Sequence, residues 1–286
     1  MSSAKGFLKN LGEEMQKDRA TGLAAEQAYY YMLSIFPVLI LLLSIIPYLS
    51  IEPQTAVSFI KSILPSETAN LLEENVIDLV TTPNGGLLTV GILGTLWSAS
   101  NGIQAFIHAM NIAYDVEDNR SFIKVRLLAI VLTIGLLVAF IISLALPIFG
   151  NVLIEWIKSF VPISSGFEIL FTVLRWVVAV VVISIVLSGL YRFAPNKSFA
   201  FKHVIPGAAI ATVLWQVISF GFSFYVSNFG NYSATYGSLG GVIVLMIWLY
   251  LTGLILVIGG EINALFHKRN IKTEAIVKHP KRVVKQ

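Results

Sequence analysis

The sequence predicts an all-α protein that crosses a lipid bilayer several times, and three observations carry that expectation. Hydrophobic residues make up 56% of the 286 positions and charged residues only 13%, against about 25% charged in ordinary soluble domains. The apolar residues gather in long runs almost free of charge. Seventeen of the twenty Lys and Arg residues fall in segments that such runs would place on one side of the membrane. Basic connections of that kind stay cytoplasmic, so both termini are expected there, in a six-helix polytopic fold.

The elements follow in order. Residues 1–21 read as a cytoplasmic amphipathic segment. Leu8, Leu11 and Met15 recur at helical spacing with Lys9, Glu13 and Lys17 elsewhere, as in a helix lying on the membrane or on the cytoplasmic loops. The transmembrane domain is expected over 22–266, with spans near 24–49, 86–112, 127–151, 167–191, 204–227 and 239–266. The run from Val204 to Gly260 has no charge and far exceeds the ~20 residues one crossing needs, so it must fold back. Asn228, Gly230, Asn231, Ser233, Gly237 and Ser238 supply the turn. The first external loop, about 52–84, shows two short amphipathic patterns and the acidic Glu67, Glu73, Glu74 and Asp78. It is equally compatible with a cap over an opening and with a solvated loop. Residues 267–286 read as a basic, disordered cytoplasmic tail suited to anionic lipid headgroups.

The basic residues divide as follows. Lys5, Lys9, Lys17 and Arg19 lie before the first span, Arg120, Lys124 and Arg126 in the second connection, and Arg192, Lys197 and Lys202 in the fourth. Lys268, Arg269, Lys272, Lys278, Lys281, Arg282 and Lys285 follow the last span, while the opposite side holds only Lys61 and Lys158. Arg175 falls inside a span.

Polar groups within the spans are the candidate site, because ionisable side chains in hydrocarbon are costly and tend to face partners or cavities. Glu26, His108, Arg192 and Glu261 sit near the cytoplasmic ends of their helices, where Glu26 or Glu261 could pair with Arg192 or His108. Simple snorkelling to the interface is the alternative for the two basic groups. Arg175 lies several residues inside its helix and calls for a carbonyl cluster, a carboxylate or an anionic ligand. Asn101, Gln104 and His108 share one helical face, and Tyr30 and Ser34 lie on the first span. Pro37 releases one backbone carbonyl inside that span. Gly240, Gly241, Gly259 and Gly260 bracket the last span as hinges or packing contacts.

Catalytic and cofactor signatures are missing. The histidines at 108, 203, 267 and 279 have no metal-ligand spacing, and there is no HExxH, GxSxG, GxxxxGK[ST] or strand-borne GxGxxG. With no cysteine, thiolate sites and disulfides are excluded. No cofactor, metal or nucleic-acid partner is expected.

The segments AAEQAYYYMLSIFP (Ala24–Pro37), LWSASNGIQAFIHAMNIAYDV (Leu96–Val116) and YGSLGGVIVLMIWLYLTGLILVIGGEINA (Tyr236–Ala264) together resemble the YihY/BrkB family of bacterial multi-pass membrane proteins. The likeness covers roughly 20–266. It implies a six-helix inner-membrane protein whose family has been labelled both virulence factor and, by misassignment, ribonuclease. Some relatives are linked to envelope lipid or glycolipid handling. The matched polar positions are Tyr30, Ser34, Pro37, Asn101, Tyr236, Gly240, Gly241, Glu261 and Asn263. Three roles are weighed. One is a transporter or exporter of lipid-like or amphiphilic cargo, the next a non-transporting scaffold of envelope machinery, and the last an intramembrane enzyme, which the absent motifs disfavour.

Overall fold

In the computed structural model, residues 4–48, 82–138, 165–229 and 239–278 are described, and all the regular structure among them is helical. The elements are α1 (Ala4–Lys17), α2 (Ala20–Ile45, ending in a 3-10 turn, Ile46–Tyr48), α3 (Gly85–Ala113), α4 (122–138), α5 (Ser165–Phe193), α6 (Phe201–Phe229) and α7 (Leu239–Lys278). Three are long and apolar enough to cross a membrane, over Ala20–Tyr48, Phe201–Val226 and Gly240–Arg269, and Val180–Phe193 is a shorter apolar helix. The expected count of six crossings reaches beyond these. The external-loop amphipathic patterns at 52–84 lie almost wholly outside the described residues, as does the turn at 230–238.

Residue chemistry explains several of the boundaries. Asn84 caps α3, its side-chain oxygen accepting the Leu87 amide at 2.9 Å, which satisfies one orphan donor of the first turn. Arg19 adopts a left-handed backbone at φ 53° and makes the sharp corner between α1 and α2. Asp115, at φ 51°, ends α3 the same way. α7 runs on unbroken to Lys278, so the basic stretch starts as helix where the sequence reading expects a disordered tail. No Gly or Pro follows Gly260 until Pro280, and Ala, Glu and Lys in between favour continuation.

Helices α2 and α3 pack as one pair and α6 and α7 as another, with α7 also against α2 and α3, and α5 against α6. The core lies at one end of this bundle. Ile103, Phe106, Ile107 and Met110 of α3 meet Leu190 and Tyr191 of α5, Val204 and Ala208 of α6, and Ile255 and Val257 of α7. Toward the other end, apolar side chains face outward: Phe36 on α2, Val90 and Leu93 on α3, and Phe220 and Phe224 on α6. Lipid is the solvent such a surface suits.

The connections that the sequence reading places in the cytoplasm do gather at the core end. The Phe7 and Phe266 rings lie 5.5 Å apart, so α1 docks on the end of α7. Lys268 meets Asp115 at 2.7 Å and Glu14 at 3.6 Å. The Asn111 side chain bonds Asp118 at 2.9 Å and accepts the Asn196 amide at 2.8 Å. Arg120 forks onto Asp118 at 2.7 and 2.8 Å and donates to the Ala194 carbonyl at 3.1 Å. The α1–α2, α3–α4 and α5–α6 corners and the end of α7 therefore share one face of the bundle.

Candidate intramembrane polar site

One buried charge belongs to a residue that the sequence places in a loop. Arg126 lies on α4, which begins at residue 122, and is only 7% exposed. Its Nη1 donates to Asn101 Oδ1 at 2.5 Å and its Nη2 to the Trp97 carbonyl at 2.9 Å. The guanidinium sits 3.6 Å from the centre of the Trp97 ring, a cation–π contact of about 1–2 kcal/mol when desolvated. Nε is buried with no partner. Among the described residues no carboxylate pairs with it. Asn101 precedes the end of α3 by three turns, about 18 Å at 1.5 Å per residue, so this cation lies well inside the bundle.

Trp97 is also the end of an exposed apolar stripe. Val90, Leu93 and Trp97 recur every three to four residues along α3 and are all exposed, so they line one helical face. The Arg126 guanidinium of α4 and the apolar track of α3 therefore adjoin at Trp97.

A second polar group sits deeper in the core end. Glu261 is 1% exposed and Asn263 fully buried. Asn263 Oδ1 accepts the Gly207 amide at 2.7 Å, the backbone donor that Asn263 reaches across from α7 to α6. Its Nδ2 has no partner. The contact needs glycine: a Cβ on Gly207 would collide with the Gly259 carbonyl and with Asn263, and one on Gly259 with the Tyr191 hydroxyl. Tyr191 donates that hydroxyl to the Leu256 carbonyl at 2.9 Å. Gly260 leaves room for Met110, whose Cε would fall 2.5 Å from an added Cβ.

The other expected residues are placed as follows. Glu26 is exposed on α2, and the inward position one residue on belongs to Gln27, fully buried and bonded to Tyr31 at 3.2 Å. Tyr30 is half-buried, its ring 5.4 Å from Tyr29. Ser34 turns back onto the Tyr31 carbonyl at 2.6 Å, and Gln104 is half-buried. His108 is exposed. Arg192 is half-buried, its guanidinium 4.2 Å from the Phe201 ring centre. None of Glu26, His108 and Arg192 is brought to Glu261. The side chain of Arg175 lies outside the described residues. Pro37 lies inside α2, where Gly94 of α3 approaches it to 3.6 Å of an added Cβ. Gly240 is buried and Gly241 exposed at the start of α7.

Two features escaped the sequence reading. Asp18, read as part of the cytoplasmic segment, turns its side chain inward to Glu261. His203 and His267 meet through their Nδ1 atoms at 3.3 Å across α6 and α7. The first had a signal, a carboxylate beside a helix–helix corner; the second had none, since 64 residues separate the pair. No group of three or more His, Cys, Asp or Glu side chains that could hold a metal gathers among the described residues.

The family described as Virulence factor BrkB matches residues 11–283. The putative ribonuclease-like protein YfkH of Bacillus subtilis is 46% identical over 263 residues, covering 92% of this chain and 96% of that one. A UPF0761 membrane protein of Aliivibrio salmonicida is 30% identical over 266 residues, or 90% of this chain and 81% of its own. Another, of Vibrio campbellii, is 30% identical over 268 residues, or 92% and 82%. No solved structure matches.

Proposed function

Because the chain belongs to the BrkB family of multi-pass bacterial membrane proteins, we propose that it is a transporter or exporter of anionic, lipid-like amphiphiles of the cell envelope. One observation carries the reading: Arg126, a buried cation with an unpartnered Nε and no carboxylate partner among the described residues. An isolated charge in hydrocarbon costs several kcal/mol unless something neutralises it. Asn101 and the Trp97 carbonyl hold the guanidinium in place and contribute no negative charge. An anionic headgroup supplies what is missing, since Arg forks onto phosphate and carboxylate. The exposed Val90–Leu93–Trp97 stripe gives acyl chains a track beginning at the same point. The role is non-catalytic, and the ribonuclease wording belongs to the name of the Bacillus relative.

Reconstitution in liposomes tests this. Wild-type protein is expected to accelerate the transbilayer movement of a labelled anionic lipid more than that of a labelled zwitterionic one. Arg126→Ala removes a charge-assisted contact of about 1.5–3 kcal/mol, so the anionic rate should fall about tenfold or more, with Arg126→Lys in between. Equal rates for wild type and Arg126→Ala, in preparations with the same melting temperature, would leave the scaffold role as the better account.

A further inference from the structure

Where α1, the end of α3 and α7 meet, three buried oxygens have no hydrogen-bond partner: Asp18 Oδ2, Glu261 Oε1 and the Tyr114 hydroxyl. Glu261 is 1% and Tyr114 7% exposed, and the Asp18 side chain also 7%. The two carboxyls stand within side-chain hydrogen-bond reach of each other, whereas the Tyr114 hydroxyl bonds to neither. Two carboxylates in contact are two acceptors with nothing to accept. Buried acceptors of this kind are rarely left unsatisfied, and like charges in contact in a site of low dielectric cannot both be ionised.

We infer that Asp18 and Glu261 form a proton-binding site, sharing one proton between their carboxyls. The accounting closes. One proton held between the two carboxyls makes one orphaned oxygen the donor and the other its acceptor. The charged groups around the pair leave it acidic. α1 contributes Glu14 and Lys17, the end of α3 contributes Asp115, and α7 contributes Lys268. Lys17 and Lys268 are already engaged by Asp115 at 3.3 and 2.7 Å, and Lys17 reaches only the outer oxygen of Asp18, at 3.7 Å. In agreement, burial raises the Asp18 carboxyl above its ordinary range.

The site joins α1 to the membrane bundle, so its proton acts as a clasp. With the proton in place, the Asp18 corner lies against α7. Without it, two buried negative charges push α1 away. This holds whether or not the protein moves lipid, and its test has no transport step.

Infrared spectra of the full chain in detergent at neutral pH are expected to show the C=O stretch of a neutral carboxyl in wild type and its loss in Glu261→Gln, where the amide donates to an ionised Asp18. The thermal midpoint of wild type should fall as the pH rises from mildly acidic to alkaline, because the folded state alone retains the proton there. Asp18→Asn, at the accessible corner, should flatten that slope even if Glu261→Gln folds poorly. An unchanged band in Glu261→Gln, or parallel pH slopes in wild type and Asp18→Asn, overturns the assignment. So does a midpoint that rises with sodium at fixed pH in wild type and not in Asp18→Asn, since a metal cation would then occupy the place of the proton.

Discussion

Arg19 and its neighbours show how much chemistry one corner holds. A non-glycine residue at φ 53° costs about 1 kcal/mol relative to glycine, and here the corner it makes turns Asp18 inward. Arg19→Gly is expected to raise the thermal stability by about 1 kcal/mol without altering the Asp18–Glu261 contact, as read by melting in detergent. Nearby carboxylates titrate in the opposite sense to Asp18. Hydrogen bonds from Lys268 hold Asp115 below its ordinary range, and those from Arg120 do the same for Asp118. A carboxyl depressed in the folded state contributes stability above its unfolded pKa, and that stability is lost as the pH falls through the folded one. Acidification below the usual carboxylate range should therefore lower the melting midpoint. Asp118→Asn should show a lower midpoint at neutral pH and a flatter decline in acid; an identical acid limb in wild type and variant would contradict the assignment.

At the scale of elements, the α6–α7 contact depends on missing side chains. Gly207 and Gly259 face each other so closely that either Cβ would collide with backbone or a ring hydroxyl, and the Gly207 amide is the partner of Asn263. Gly207→Ala must push α6 from α7. It is expected to cost about 1–3 kcal/mol, the usual range for overpacking, whereas Gly221→Ala on the same helix, with nothing within 4 Å of its added Cβ, should be tolerated. Melting curves of the two variants decide this: helix propensity favours alanine at both positions, so a Gly207→Ala variant as stable as Gly221→Ala would refute the contact. α4 illustrates the same dependence on neighbours. Its first turn carries Arg126, which would be an ordinary juxtamembrane cation were Asn101 and Trp97 not level with it on α3.

For the whole molecule, the gathering of the basic corners on one face is the observation that orientation rests on. The absence of cysteine makes the test direct. A single cysteine at Ser3 or at Gln286 is expected to react with an impermeant maleimide only after cells are opened, and one at Ser66 in intact cells. Labelling of Gln286→Cys in intact cells would reverse the topology.

The sequence alone determined the solvent and the class of fold. An uncharged run longer than a bilayer is thick has no other place to go, and the bias of Lys and Arg is a property of composition that needs no contacts. The long helices and the amphipathic α1 were legible for that reason. Their partners were not. Hydrophobic spacing cannot say which turn of one span lies level with which turn of another, so it does not show that Arg126 is buried on a helix, that Glu26 is exposed or that Asp18 turns inward. Only the packing of α3 against α4, and of α1 against α7, decided which charges were buried together, because the cost of a charge depends on what surrounds it and not on where it stands along the chain.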